Sequence, residues 1–109
     1  MKLTKYNQSC FLIETEGKKI LIDPGNIIDE ETIKNFENIS LILITHTHND
    51  HCFPENIKTI LEKNNPELLG NEEVAEKLSD FRVTSINEGG VKDLENIKIT
   101  KKVLLIMEN

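Results

Sequence analysis

No apolar run in this sequence is long enough to cross a bilayer. The longest are Ile39 to Ile44, broken by Ser40, and Val103 to Met107, whereas a spanning helix needs about 20 apolar residues. Met1 to Asn7 lacks the apolar core of a signal peptide. The expected compartment is therefore the cytoplasm, with no membrane partner. Cysteine is scarce, at two in 109 residues. Two cysteines without an export signal make no disulfide framework, and in a reducing compartment Cys10 and Cys52 stay thiols. Basic patches are missing: 13 Lys and Arg stand against 19 Asp and Glu, for a net charge of -6. An acidic surface repels phosphate backbones, so nucleic acid is not expected as a partner. Internal repeats, low-complexity segments and an acidic tail are absent as well.

What is present fits a soluble globular chain, with 38% hydrophobic and 29% charged residues. Its length suits one small domain or part of a larger one, with modest burial and marginal stability. Lys2 to Tyr6, Cys10 to Glu14 and Lys19 to Ile22 read as strands. The separator Thr15-Glu16-Gly17-Lys18 suits a hairpin turn. Asp23-Pro24-Gly25 stops the third strand. Glu30 to Phe36 carries a weak helical pattern. Ile39 to Thr45 is the strongest strand, β-branched and almost continuously apolar, as a strand buried on both faces requires. Pro54 opens a helix running to about Asn64, with Ile57, Ile60 and Leu61 as its apolar stripe, and Asn65-Pro66 ends it. After the apolar pair Leu68-Leu69, Asn71 reads as the N-cap of a second helix with Glu72 and Glu73 in its first turn. Val74 and Leu78 form its buried side. Arg82 to Ile86, Ile97 to Ile99 and Val103 to Met107 read as further strands, with Glu88-Gly89-Gly90 as a turn.

All three histidines lie within six residues, His46, His48 and His51, with Asp50 among them. Zinc and similar cations take imidazole nitrogen and carboxylate oxygen. In an extended segment alternate side chains share a side, so His46 and His48 can reach one ion together. Asp50 and His51 fall on a turn beyond the strand end and can aim at a second. The strand Ile39 to Thr45 presents the group at its carboxyl end, where α/β sites commonly lie.

The run His46-x-His48-x-Asp50-His51 resembles the metal-binding motif of the metallo-β-lactamase superfamily. Tyr6 to Glu14 resembles the opening strand of a subgroup of small hydrolases, with its Ser9-Cys10-Phe11 pattern, although a His is usual where Gln8 stands. Lys19 to Gly25 resembles the next strand, which ends in an Asp-Pro-Gly turn. The resemblance implies an α+β fold, the N-terminal half of a four-layer αβ/βα metallo-β-lactamase sandwich, with a one- or two-metal site at one edge. By that resemblance His46 and His48 bind a first zinc and Asp50 and His51 a second, other divalent metals being compatible with the same donors. The implied activity is hydrolysis of a small-molecule ester, lactone, amide or phosphoester by metal-bound water acidic enough to be hydroxide near neutral pH. Asp50 is the implied catalytic residue, orienting that water or taking up its proton.

The family completes its site with two further histidines and usually a bridging Asp, all downstream, yet no histidine follows His51. The likeness reaches about Ile99, so residues 1–109 read as a truncated domain. Its terminal strand Val103 to Met107 would be an uncovered edge prone to association. The expectations are weak zinc binding, little activity in isolation, and a complementary C-terminal half or self-association as partner. A non-catalytic fragment needing that other half is the alternative from a different class. A nuclease of the same superfamily is disfavoured by the acidic charge.

Plainer readings remain for several residues. Accidental histidines on a polar loop are disfavoured, because type, spacing and strand context agree. Asp23 is either a turn residue before Pro24-Gly25 or support for a neighbouring ligand, and direct ligation is not expected. Cys52 reads as a small buried apolar residue, not a ligand, and Cys10 as core. Gly89-Gly90 lacks the context of a phosphate loop. Glu72-Glu73 and Lys101-Lys102 are solvated charges.

Overall fold

The computed structural model describes residues 1–6, 9–86, 91–94 and 97–100. Strands β1 (Lys2–Lys5), β2 (Phe11–Thr15) and β3 (Lys18–Ile22) form an antiparallel meander. Thr15 pairs with Lys18, so the β2–β3 loop is Glu16-Gly17, with φ of 50° and 75°. Two left-handed residues in a two-residue loop match the right-handed twist of the strands, and glycine takes one of them without strain.

Beyond β3 the chain alternates helix and strand. Helix α1 (Glu30–Asn35) starts where the Asp29 side chain accepts from Thr32 N at 2.8 Å. Strand β4 (Leu41–Leu43) follows, then α2 (Pro54–Lys63), which has proline in its first turn. Asn64 closes α2: its amide donates to Ile60 O and Phe36 O while its Oδ1 accepts from Ile39 N. Strand β5 (Glu67–Gly70) leads to α3 (Glu72–Lys77), capped by Asn71 accepting from Val74 N at 2.8 Å, and then to β6 (Val83–Ser85). A separate antiparallel hairpin joins β7 (Val91–Leu94) to β8 (Ile97–Thr100).

Among the described residues the sheet runs β1-β2-β3-β4-β5-β6, parallel from β3 onward. Leu12, Leu21, Ile42 and Leu68 face one another across four adjacent strands. They share one core with Ile33 of α1, Ile57 and Ile60 of α2 and Val74 of α3. The helices therefore cover one face, as same-handed crossovers between neighbouring parallel strands demand. Ile20, Leu41, Leu69 and Ile86 cluster on the opposite face, with Ile13, Ile22 and Leu43 packed against them. Both faces of β4 are apolar, which is why its sequence shows no alternation.

Fold class and element order follow the expectations, with differences at the ends. The regular ladder of β4 is shorter than Ile39 to Thr45, although Ser40 N and Ile44 N still bond Lys19 O and Leu69 O, each at 2.9 Å. Strand β7 was not anticipated, because Val91-Lys92-Asp93-Leu94 does not alternate. The turn at Glu88-Gly89-Gly90 and the strand at Val103 to Met107 lie outside the described residues. Among the described residues no helix is long and apolar enough to cross a membrane.

Candidate metal centre

Strands β3 and β4 run parallel, so the chain leaves both at the same edge of the sheet. The first residue beyond Ile22 is Asp23, whose N–H donates to Leu43 O at 2.9 Å. It is the buried acid of the sheet edge, 3% exposed, and sits at φ 51°. Aspartate tolerates that left-handed region better than most residues. Its carboxylate continues the ladder where backbone pairing stops: Oδ1 accepts from Thr45 N at 2.7 Å.

The second oxygen organises the imidazoles. Asp23 Oδ2 accepts from Thr45 Oγ1 at 2.5 Å and lies 2.9 Å from His51 Nδ1. A carboxylate accepts only, so His51 carries a proton on Nδ1, and as neutral imidazole it keeps its lone pair on Nε2. The Thr45 hydroxyl proton is committed to Asp23, so Thr45 Oγ1, 2.8 Å from His46 Nδ1, must accept there. His46 is thereby held in the same tautomer. One buried carboxylate thus selects, for both rings as neutral imidazoles, the tautomer with its lone pair on Nε2, the form in which imidazole coordinates a metal.

Backbone curvature brings those rings together. His51 N and Cys52 N both donate to His48 O, at 2.9 and 2.8 Å, so the chain folds back after His48. The His46 and His51 ring centres lie 4.6 Å apart. Donor atoms of Asp23, His46 and His51 come within 4.8 Å of one another. Asp50 Oδ2 lies 3.6 Å from His51 Nε2, on a side chain 47% exposed, and Ser9 Oγ lies 3.4 Å from the same nitrogen. The His48 ring stands parallel to that of His46, 6.5 Å away, outside the tighter group. The motif is thus not an extended strip: beyond β4 it turns, with the His46 and His48 rings parallel. The turn also brings His51 to His46. With three bonds already on its oxygens, Asp23 serves as an orienting acceptor, despite its closeness to the rings. The sequence signal for it is an Asp directly after an apolar strand and before Pro24-Gly25.

Imidazole nitrogen with an adjacent carboxylate is a donor set that divalent cations take, so the residues present fit a metal. Both cysteines lie in the helix-side core as free thiols. Burial pushes the Cys10 thiol up to about 12, and the charge of Asp23 adds to it. Burial also raises Cys52, against an opposing pull from Lys77. Thiolate is the reactive form. In the folded protein at pH 8, iodoacetamide should therefore leave both unmodified over hours, whereas denatured protein should take up two labels by mass spectrometry. Rapid native labelling of Cys52 would show that the loop bearing His51 opens readily.

A mixed sheet with helices on one face and an Asp–His cluster beyond the parallel strand ends defines a candidate metal-site domain. The family model described as Beta-lactamase superfamily domain matches residues 2–105, and the chain belongs to the metallo-β-lactamase superfamily. A UPF0173 metal-dependent hydrolase of Staphylococcus carnosus is 35% identical over 102 residues, covering 87% of this chain and 43% of that protein. A crystal structure from Parabacteroides distasonis, assigned as a metal-dependent hydrolase, superposes with a TM-score of 0.76 at 26% identity, over 90% of this chain and 43% of that one. The diiron β-hydroxylase CmlA of Streptomyces venezuelae shares the fold, with a TM-score of 0.69 at 18% identity, over 88% of this chain and 22% of that one. The chain spans less than half the length of these curated relatives.

Proposed function

We propose that this chain supplies metal-binding residues to a metal-dependent hydrolase of small molecules, with zinc as the metal. The observation that carries the reading is the Asp23 carboxylate, which bonds His51 Nδ1 and, through Thr45 Oγ1, holds His46 Nδ1, leaving both Nε2 atoms outside these contacts and that of His51 beside Asp50. His46, His48, Asp50 and His51 are the proposed ligands. A bound divalent cation supplies Lewis acidity and makes water acidic near neutral pH. Asp23 and Thr45 orient the rings. Asp50, half exposed, is the proposed acceptor for a proton released during hydrolysis. The substrate class is an ester, lactone, amide or phosphoester, and the compartment the cytoplasm. The hydrolase names of the relatives support this reading of the family.

Four-coordinate zinc sites use three or four protein ligands. If His46 and His48 serve one ion and Asp50 and His51 another, each ion needs more. We therefore propose that ligands from outside these 109 residues complete the site, within a longer chain, from a complementary chain, or from a second copy. Calorimetry on the purified chain tests this. Weak zinc binding is expected, and His48→Ala should weaken it roughly tenfold, about 1.4 kcal/mol. Two tightly held ions per monomer would overturn the incomplete site, and no effect of His48→Ala would remove that residue from the ligand set. Addition of the missing ligands should bring metal-dependent turnover of generic ester or phosphodiester substrates.

A further inference from the structure

We infer that Lys77 is a positioning residue for the metal-binding loop, locking both spacer residues between the proposed ligands; the inference rests on the metal-site reading above. Lys77 stands in the last turn of α3, a helix anchored in the core by Val74 and Leu78. Its ammonium reaches across to the loop and donates to Thr47 O and, at 2.9 Å, to Asn49 Oδ1. Thr47 separates His46 from His48, and Asn49 separates His48 from Asp50. Tying the Thr47 carbonyl fixes the peptide plane that leads into His48. Tying the Asn49 side chain fixes the turn that carries Asp50 and His51.

The second support comes from the opposite side. Asn49 O accepts from Asn26 N at 2.8 Å, and Asn26 belongs to the segment leaving β3. The loop is thus clamped between the Asp23-Pro24-Gly25-Asn26 turn and α3. An ammonium has no lone pair and cannot coordinate a metal. Its charge opposes a bound cation, so what Lys77 contributes must be geometric. Hydrogen bonds from a charged donor are about twice as strong as neutral ones, which suits a clamp on a loop without regular pairing of its own.

Hydrogen exchange of the metal-free full chain, with zinc affinity measured against a chromophoric chelator, tests the inference. Lys77→Met keeps most of the aliphatic stem and loses the donors; Lys77→Arg keeps charge and donors. In K77M the His51 and Cys52 amides should exchange at least tenfold faster, while the α3 amides of Ala75 and Leu78 stay protected. Zinc affinity should fall about tenfold. K77R should restore both, and Asn49→Ala should add little in the K77M background, because the two side chains act through one contact. Unchanged loop exchange, an equal loss of protection along α3, or tighter zinc binding in K77M would each overturn the inference. If wild type itself binds no zinc, the metal reading fails, and the exchange data still decide whether Lys77 clamps the loop.

Discussion

Asp23→Asn should abolish most metal binding while leaving the fold in place. Asparagine has the shape of aspartate but offers one acceptor oxygen and an NH₂ donor. If its oxygen keeps the bond from Thr45 N, its NH₂ faces Thr45 Oγ1 and His51 Nδ1, where Oδ2 now accepts. Each partner must then become an acceptor. His51 moves its proton to Nε2. The Thr45 hydroxyl, no longer donating to residue 23, turns to His46 Nδ1, and His46 also protonates at Nε2. Both rings present a donor where a lone pair is needed. Loss of such an orienting carboxylate typically costs 10–100-fold in metal affinity. Because two rings switch together, the expected loss is at the upper end, about 100-fold. Nitrogen NMR of the two imidazoles reads the tautomers directly. Unchanged tautomers with unchanged zinc affinity would refute the argument. Asp23→Ala should differ, since it strands buried donors at about 1–3 kcal/mol each and destabilises the fold as well.

Gly25→Ala is the second large effect, and it acts through backbone. A Cβ at residue 25 would lie 2.0 Å from Asp50 O, 2.1 Å from Asp50 C and 2.7 Å from His51 N. None of these is a side chain that can swing aside, so the loop bearing Asp50 and His51 must move. Forced overpacking costs about 1–3 kcal/mol. A displacement near 1 Å at a reacting group is worth about 100-fold in rate. Denaturant unfolding should show the lower midpoint, and zinc titration of the surviving folded protein a further loss of affinity. Binding and stability both within error of wild type would mean that the close approach of the two loops is not required.

The two substitutions mark the boundary of what was legible in the sequence. The clustering of the donors His46, His48, Asp50 and His51 was readable, because residue type, spacing and a preceding buried strand coincide within one short segment. The strands flanking Glu16-Gly17, the start of α2 at Pro54 and the cap of α3 at Asn71 were readable for the same reason: each depends on neighbours a few residues away. The need for glycine at 25 was not, since the atoms that forbid a side chain belong to residues 50 and 51. The role of Lys77 has no local signal either, since its partners stand 28 and 30 positions earlier.

By itself the sequence determined the order of elements, the two-faced burial of β4 and the kind of atoms offered to a metal, because propensity, periodicity and donor type are local properties. Only the tertiary structure decided which donors meet. Parallel pairing of β3 with β4 carries Asp23 to Thr45, 22 residues away, and the turn after His48 folds His51 back onto the same carboxylate. Tautomer, ring orientation and loop clamping follow from those contacts, and a contact between distant residues is set by sheet register and packing, which no local stretch of sequence contains.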